Sequence, residues 1–315
     1  MIIGGNIDNA EFSIRKSSSL RFYYAAQIIT VIIEKHKKIL TAVQAARDFI
    51  SYMAVKIFMN EFLIGLQFLT RIFVVKQSVW TEKSFGESVK YFPAVGAVLG
   101  IICAGVVGAI NLLNLPLFTG AIGFASLIIL TGGIHCDGLM DSADGLFSGR
   151  DREKILEIMK DSRAGSFGVV SMILVAAIEI STLIELALLS TCFLCTAIYS
   201  APIIGRLMMV VTIGAFPYAR ETGMGKAFAQ FTTRRTIIFA TCETILFLLP
   251  LNFIDPIFFL CTAAASLVAL IVTWKFASFS TEKIGGVTGD IYGAVTTLAE
   301  MFVPITFLLI GNFLR

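Results

Sequence analysis

The chain has 315 residues, of which 57% are hydrophobic and only 15% are charged. A disordered chain would lack this many apolar residues, so the composition excludes one. Soluble domains are about one quarter charged, so the low charged fraction also argues against a soluble globule. The formal charge of +3, with two histidines and scattered basic residues, provides no stripe for binding nucleic acid. The lipid bilayer is therefore the expected solvent.

The first sixty residues differ from the rest of the chain. Basic residues surround an apolar segment at 22–33 that is short for a membrane span. Two interpretations stay open: a basic amphipathic helix at the membrane interface, or an extension that is not native. The predicted organisation is therefore an N-terminal extension, residues 1–60, followed by a membrane-embedded domain, residues 61–315.

From residue 93 onward the apolar runs are long enough for a hydrocarbon core, which needs about 20 residues per helix. They predict an all-α, polytopic transmembrane bundle with six to eight spans. A further apolar piece at 62–75 is re-entrant, interfacial, or the end of a helix that begins near Ile50. The expected spans are residues 93–115, 118–135, 168–189, 190–213, 236–254, 256–277 and 291–313.

The polar segments between the spans predict the orientation of the bundle. Segments 137–166 and 217–235 are rich in Lys and Arg, whereas the turns near 111–116 and 252–256 are nearly free of them. An excess of Lys and Arg in short loops is typical of the cytoplasmic side. We therefore expect a multi-pass membrane protein whose polar chemistry collects on the cytoplasmic side.

The most informative stretch carries Asp137, Asp141 and Asp144, at positions i, i+4 and i+7. On a helix these offsets return to nearly one face, where like charges repel unless cations occupy it. Carboxylate oxygens suit Mg²⁺, and two such ions would clamp the oxygens of a phosphoryl transfer. The alternative is a solvated acidic helix start. The spacing favours a metal site.

Other groups in this stretch are candidates for catalysis and substrate binding. His135 stands two residues before Asp137, and its role is a structural hydrogen bond, a general base or a contact to substrate phosphate. Glycines let the backbone approach a bulky ligand closely. The glycines of this stretch are Gly132, Gly133, Gly138 and Gly145.

A second cluster is basic. Lys160 and Arg163 are one helical turn apart and predict a phosphate clamp. Asp161 between them would either bind metal or orient the arginine, and Gly165 and Gly168 follow as substrate-binding candidates. The alternative is an ordinary basic loop of the cytoplasmic face.

Two further polar pieces lie against the membrane. Arg206 falls inside an apolar span, where a charge is costly, and its expected partner is a substrate phosphate or one of the aspartates. Glu179 and Glu185 also lie in or near a predicted span. They would either pair with Arg206 or mark a break between two helices. Gly286 belongs to a glycine-rich loop suited to phosphate, and Asp290 would add a metal ligand.

These separated motifs resemble the cobalamin synthase family in order and spacing, from about residue 60 to the end of the chain. Family members typically begin close to Glu61, so the N-terminal extension is a departure from the pattern. The resemblance rests on residues 62–71, 92–96, 132–145, 160–168, 205–206, 218–228 and 285–290.

The resemblance implies an enzyme of the cell membrane that joins adenosylcobinamide-GDP to α-ribazole or its 5′-phosphate and releases GMP, with Mg²⁺ required. Because both substrates are bulky, we expect an active-site cavity between the helices that is open to the cytoplasm. The resemblance also places Arg71 and Lys226 in substrate-binding segments. Association with other enzymes of nucleotide-loop assembly and a homo-oligomer stay open. The family's acidic and basic motifs fall on Asp137, Asp141, Asp144, Lys160, Asp161, Arg163 and Gly168.

The expected chemistry agrees with these residue types. A pyrophosphate-linked donor concentrates negative charge, which Mg²⁺ together with Lys160, Arg163 and Arg206 would neutralise. If the acceptor is a free hydroxyl it needs a base, for which His135 and Asp144 are the candidates.

Two rival classes share some of these features. CDP-alcohol phosphotransferases also set aspartates on membrane helices, but their motif begins D-G-x-x-A-R where this chain has D-G-x-x-D-x-x-D-G. An ion-coupled transporter would use intramembrane acids to bind cations. The clustering of the motifs on one side of the membrane argues against a transporter.

Overall fold

The computed structural model describes residues 59–75 and 81–314, together with positions 37, 41, 44 and 47. The chain forms two compact units, Met1–Met59 and Asn60–Arg315, and the second carries every motif discussed above. The interfacial helix expected around residues 22–33 lies outside the described residues.

The second unit is built from α-helices, and its described residues contain no β-strand beyond one isolated parallel bridge between Tyr218 and Val287. Short 3-10 turns at Ser88–Tyr91 and Leu249–Phe253 complete it. The helices are α1 (residues 59–69), α2 (Glu82–Glu87), α3 (Phe92–Asn111), α4 (Pro116–Thr131), α5 (Ile134–Leu146), α6 (Arg152–Ile158), α7 (Ser166–Leu189), α8 (Thr191–Ala215), α9 (Met224–Phe231), α10 (Arg234–Leu248), α11 (Pro256–Ile284) and α12 (Gly289–Phe313).

Six helical segments in the described part of the chain are long and apolar enough to cross a membrane, and a bent pair brings the number to seven. The prediction of an all-α bundle with six to eight spans is therefore confirmed. The six segments are Glu82–Asn111, Ser166–Leu189, Thr191–Ala215, Arg234–Phe253, Pro256–Ile284 and Gly289–Phe313.

The bent pair replaces the straight span expected at 118–135. Helices α4 and α5 meet at an angle of 92°. Gly132 and Gly133 cause the bend, because both have left-handed backbones, with φ of 67° and 75°. The chain turns sharply there, so α5 and its aspartates do not continue the direction of α4.

Helix α8 lies at the centre of the bundle, with most of its surface buried against α3 and α12. Gly96 and Gly100 of α3 contact the α8 backbone at Pro202 and Tyr199, so the two helices approach closely. The core is therefore organised around α8.

Several connections meet at one end of the bundle. The Arg71 amide donates to the carbonyl of Leu130 at 2.7 Å, which joins the segment after α1 to the α4–α5 bend. Arg152 Nε donates to the carbonyl of Ile284 at 2.8 Å, and its Nη2 donates to that of Ala219 at 3.2 Å. Arg152 thereby joins α6 to the ends of α11 and α8. The segments predicted to be polar thus share one end.

Candidate functional site

The α5–α12 crossing brings aspartates from distant parts of the sequence together. A methyl group in place of the Gly138 hydrogen would lie 2.7 Å from the carbonyl oxygen of Asp290 and 3.1 Å from the Gly293 Cα. Only glycine allows this approach. Asp137 and Asp141 consequently lie close enough to Asp290 for the three carboxylates to interact electrostatically.

Arg220 neutralises part of this acidic group. Its Nη2 lies 2.8 Å from Asp290 Oδ2, and the same guanidinium nitrogen donates to the Met159 carbonyl at 3.4 Å. Thr288 Oγ1 donates to Asp290 Oδ2 at 3.2 Å. Arg220 is largely buried, so the pair is shielded from solvent. In the sequence Arg220 is one of several basic residues of segment 217–235, and it also lies within the family-like segment 218–228.

Tyr218 stands beside the same ion pair, in the connection between α8 and α9. Burial raises the pKa of its hydroxyl and the Asp290 carboxylate adds to the shift, while Arg220 opposes it. Tyr218 therefore stays protonated near neutral pH and keeps a hydroxyl donor at this end of the bundle.

Asp144 contacts a different partner from the other two aspartates of α5. Its Oδ2 accepts a hydrogen bond from the Gly165 amide at 2.7 Å, and its Oδ1 accepts one from the Gly168 amide at 2.9 Å. The side chain is buried and caps the first turn of α7. A methyl group at Gly168 would meet the Met140 carbonyl at 2.9 Å, so this contact too depends on glycine.

The basic cluster is solvent-exposed. Arg163 Nη2 lies 2.7 Å from Asp161 Oδ2, and the arginine side chain is 87% exposed. This hydrogen-bonded ion pair lowers the pKa of Asp161 to about 2. The two roles predicted for Asp161 are metal binding and orientation of the arginine. The contact that this structure contains is the one that orients the arginine. Lys160 is also exposed, directly before this pair.

His135 is buried at the start of α5. Its side chain is 4% exposed, and its Nε2 has no hydrogen-bond partner among the described residues. It lines a cavity of about 330 Å³ together with Asp137, Asp290 and Tyr292. The cavity therefore joins an unsatisfied imidazole nitrogen to two of the three clustered carboxylates.

The expected pairing of Arg206 with an aspartate was wrong. Arg206 is fully buried in α8 and forms an ion pair with Glu300 of α12, not with an aspartate of α5. Glu179 is buried in α7, and Glu185 is exposed on the same helix. Because a charge inside an apolar span needs a counter-charge, α8 and α12 supply one to each other.

The remaining predicted residues divide between cavities and helix packing. Arg71, Gly132 and Gly133 line a cavity of about 460 Å³ that also includes Asp137. Lys226 lines a third cavity, of about 600 Å³, while its Nζ donates to the Glu221 carbonyl at 2.6 Å.

Two of the glycines predicted to bind substrate pack closely against other parts of the protein. A methyl group at Gly145 would meet Met159 Sδ at 3.1 Å, and one at Gly286 would meet the Ala219 amide nitrogen at 3.1 Å. These two glycines allow α5 to pack against α6 and the loop before α12 to pack against the segment after α8.

The carboxylates at this end of the bundle provide part of a coordination shell for Mg²⁺. The described residues contain no group of three or more His, Cys, Asp or Glu side chains that could hold a metal ion by itself. Mg²⁺ usually takes one or two protein carboxylates and completes its shell with water and substrate phosphates. Two of the three carboxylates of Asp137, Asp141 and Asp290 would match that number, whereas Asp144 and Asp161 are engaged elsewhere.

The fold and these groups define a polytopic membrane protein with acidic and basic side chains at one end of its helices. The chain belongs to the cobalamin-5-phosphate synthase family, which it matches over residues 61–308. No solved structure matches it.

Three relatives illustrate the match, each an adenosylcobinamide-GDP ribazoletransferase. The protein of Desulforamulus reducens is 38% identical over 80% of this chain and 97% of its own length. That of Acetivibrio thermocellus is 37% identical over 80% of this chain and 98% of its own. That of Fusobacterium nucleatum is 34% identical over 81% of this chain and 99% of its own.

Proposed function

We propose that this chain is an adenosylcobinamide-GDP ribazoletransferase that joins its donor to α-ribazole, or to the 5′-phosphate of that nucleoside, and releases GMP. The observation that carries the proposal is the Gly138–Gly293 crossing, which gathers Asp137, Asp141 and Asp290 beside Arg220. Membership of the family and identity along nearly the whole length of its relatives support the same activity.

We further propose that Asp137, Asp141 and Asp290 hold Mg²⁺ when the donor binds. Bound Mg²⁺ would neutralise charge on the diphosphate. Arg220 orients Asp290 through the 2.8 Å contact, and the buried position of both groups strengthens their interaction. Asp144 acts on the site indirectly, because its two backbone hydrogen bonds fix α7 against α5.

The reaction forms one phosphorus–oxygen bond and breaks another. A ribose hydroxyl that is free in both acceptor forms attacks the phosphorus attached to cobinamide, the bond from that phosphorus to the bridging oxygen breaks, and GMP leaves. A hydroxyl acceptor must lose its proton. We propose His135 for this step, since its Nε2 has no partner among the described residues while both Asp144 oxygens accept amide hydrogens.

The exposed pair of Arg163 and Asp161, with Lys160 beside it, is proposed to meet the donor diphosphate as it arrives. Asp161 holds the guanidinium through Nε and Nη2, which leaves Nη1 without a bond to this carboxylate. Arginine presents its donors in a fixed fork that matches phosphate. The active-site end is proposed to face the cytoplasm, because its connecting segments carry most of the loop Lys and Arg residues.

The activity is tested by incubating the purified full chain with adenosylcobinamide-GDP, α-ribazole and Mg²⁺ and quantifying nucleotides by chromatography. We expect GMP in equal amount to the joined corrinoid, and none when either substrate is omitted. A parallel reaction with a CDP-alcohol and an alcohol acceptor tests the rival class. CMP release there, without GMP release in the first reaction, would overturn the proposal.

A further inference from the structure

We infer that the cavity of about 330 Å³ is the binding site for the nucleoside acceptor. This inference rests on the proposed function and assigns one substrate to one part of the site. The cavity, called the acceptor cavity below, is lined by both apolar and polar side chains. Its defining residues are Phe68, Met209, Phe228, His135, Asp290 and Tyr292.

The size of the cavity distinguishes between the two substrates. Small-molecule sites typically measure about 300–1,000 Å³ for ligands of drug size, and a nucleoside lies at the lower end of that range. A corrin macrocycle with its side chains and attached nucleotide is several times larger. The acceptor cavity can therefore enclose a ribosylated bicyclic base but cannot enclose the corrinoid.

The apolar side chains of the lining suit a flat aromatic base. Phe228 is 4% exposed, with its ring centroid 5.3 Å from that of Phe68 and 4.4 Å from that of Phe85. Met209 of α8 is also buried and adds a polarisable thioether to the wall. Aromatic rings and methionine sulfur contact an aromatic ligand favourably, without demanding a particular hydrogen-bonding pattern.

The polar side chains of the lining suit a ribose. His135 and Tyr292 are 4% and 3% exposed, and neither His135 Nε2 nor the Tyr292 hydroxyl has a hydrogen-bond partner among the described residues. Buried polar atoms are rarely left unsatisfied, because desolvation without a partner is costly. Both residues line this cavity, and hydroxyl groups of a bound sugar would supply the partners.

The position of the cavity also fits a two-substrate reaction. Asp137 lines both the acceptor cavity and the cavity of about 460 Å³ that contains Arg71. Phe68 and Met224 line both the acceptor cavity and the cavity of about 600 Å³. A nucleoside in the acceptor cavity, with its ribose toward Asp137 and Asp290, would present a free ribose hydroxyl where the neighbouring spaces admit the larger donor.

Steady-state kinetics of two variants test this assignment. Tyr292→Phe removes one hydroxyl, and Phe228→Leu removes one aromatic ring from the cavity wall. We expect each to raise the KM for α-ribazole about fivefold, with the KM for adenosylcobinamide-GDP unchanged. The matched controls are Tyr199→Phe, whose hydroxyl donates to the Phe247 carbonyl, and Phe193→Leu, whose ring contacts Phe258. Neither control should change either KM.

A measurement on the wild-type chain avoids any folding defect in the variants. Benzimidazole ribosides with progressively larger ring substituents are compared as acceptors. We expect turnover to fall steeply once the base outgrows the cavity, while the KM for the donor stays constant.

The outcomes separate the two proposals. Normal GMP formation by the wild type, with site variants that raise only the donor KM or with equal use of every riboside, would overturn the acceptor cavity and leave the proposed function standing. Absence of GMP from the wild type with both substrates would overturn both.

Discussion

Asp141 and Asp144 have similar positions in the sequence pattern but different environments. Asp141 is half-buried beside the carboxylates of Asp137 and Asp290, whereas Asp144 is buried against two backbone amides of α7. Helical spacing predicts that both side chains leave α5 on the same face. It does not show which neighbouring helix occupies part of that face, and here α7 does.

Replacing Asp144 should therefore affect stability first. Asp144→Ala leaves the Gly165 and Gly168 amides without their acceptor, and we expect the free energy of unfolding to fall by about 1–3 kcal/mol. Thermal denaturation in detergent measures the change. Asp255→Ala removes a cap from α11 through a single amide contact and should cost less, about 1 kcal/mol. Unchanged stability of Asp144→Ala would show that the cap does not hold α7 in place.

Helix α5 is positioned by close contact with α12. The crossing at Gly138 and Gly293 depends on the absence of side chains at both positions. It sets the separation of Asp137 and Asp141 from Asp290, because these three residues lie within one helical turn of the contact. The geometry of the site is therefore a property of how two helices pack.

Gly138→Ala should separate these helices. The added methyl group would lie 2.7 Å from the Asp290 carbonyl oxygen, and we expect a loss of about 1–3 kcal/mol in stability together with most of the turnover. The control is Gly105→Ala in α3, where a methyl group meets no atom within 4 Å. Wild-type GMP formation by Gly138→Ala would show that the site does not require this approach.

The ion pair of Arg206 and Glu300 joins α8 to α12 inside the bundle. Glu300→Gln leaves a buried guanidinium without its counter-charge, and we expect a loss of about 3–5 kcal/mol in stability. The comparison is Glu185→Gln on the exposed side of α7, which should change stability little. The shift in denaturation temperature of the two variants distinguishes them. Equal shifts would mean that the buried pair does not fasten these helices.

Much of the fold follows from the sequence. Length and hydropathy predict the spans, and loop charges predict which connections share an end. The bend at Gly132 and Gly133 could not be predicted, because two adjacent glycines are compatible with a continuous helix as well as with a left-handed turn.

The site was only partly predictable. Asp137 and Asp290 were expected to bind metal, but their proximity depends on a helix crossing between residues far apart in sequence. Arg220 and Tyr292 were missed, since an arginine in a basic loop and a tyrosine in an apolar helix carry no distinctive local signal. Glu300 was missed as the partner of Arg206 because nothing in the sequence indicates which helices are neighbours.

The orientation of the molecule in the membrane is open to a direct test. Ser162 is exposed beside the active-site end, and Asn312 is exposed near the end of α12, at the opposite end of the bundle. In right-side-out membrane vesicles, an impermeant maleimide should label Asn312→Cys above the wild-type level and spare Ser162→Cys. The reverse pattern would place the active site outside the cell.

The most direct test of the aspartate cluster is the Mg²⁺ dependence of GMP formation by the wild type and by Asp141→Asn, with both substrates saturating. The variant removes one ligand charge with little change in volume. We expect it to remain folded in detergent and to need at least about tenfold more Mg²⁺ for half-maximal rate, which corresponds to about 1.4 kcal/mol of lost interaction. An unchanged Mg²⁺ requirement, or full activity in the presence of a chelator, would contradict the assignment of these aspartates.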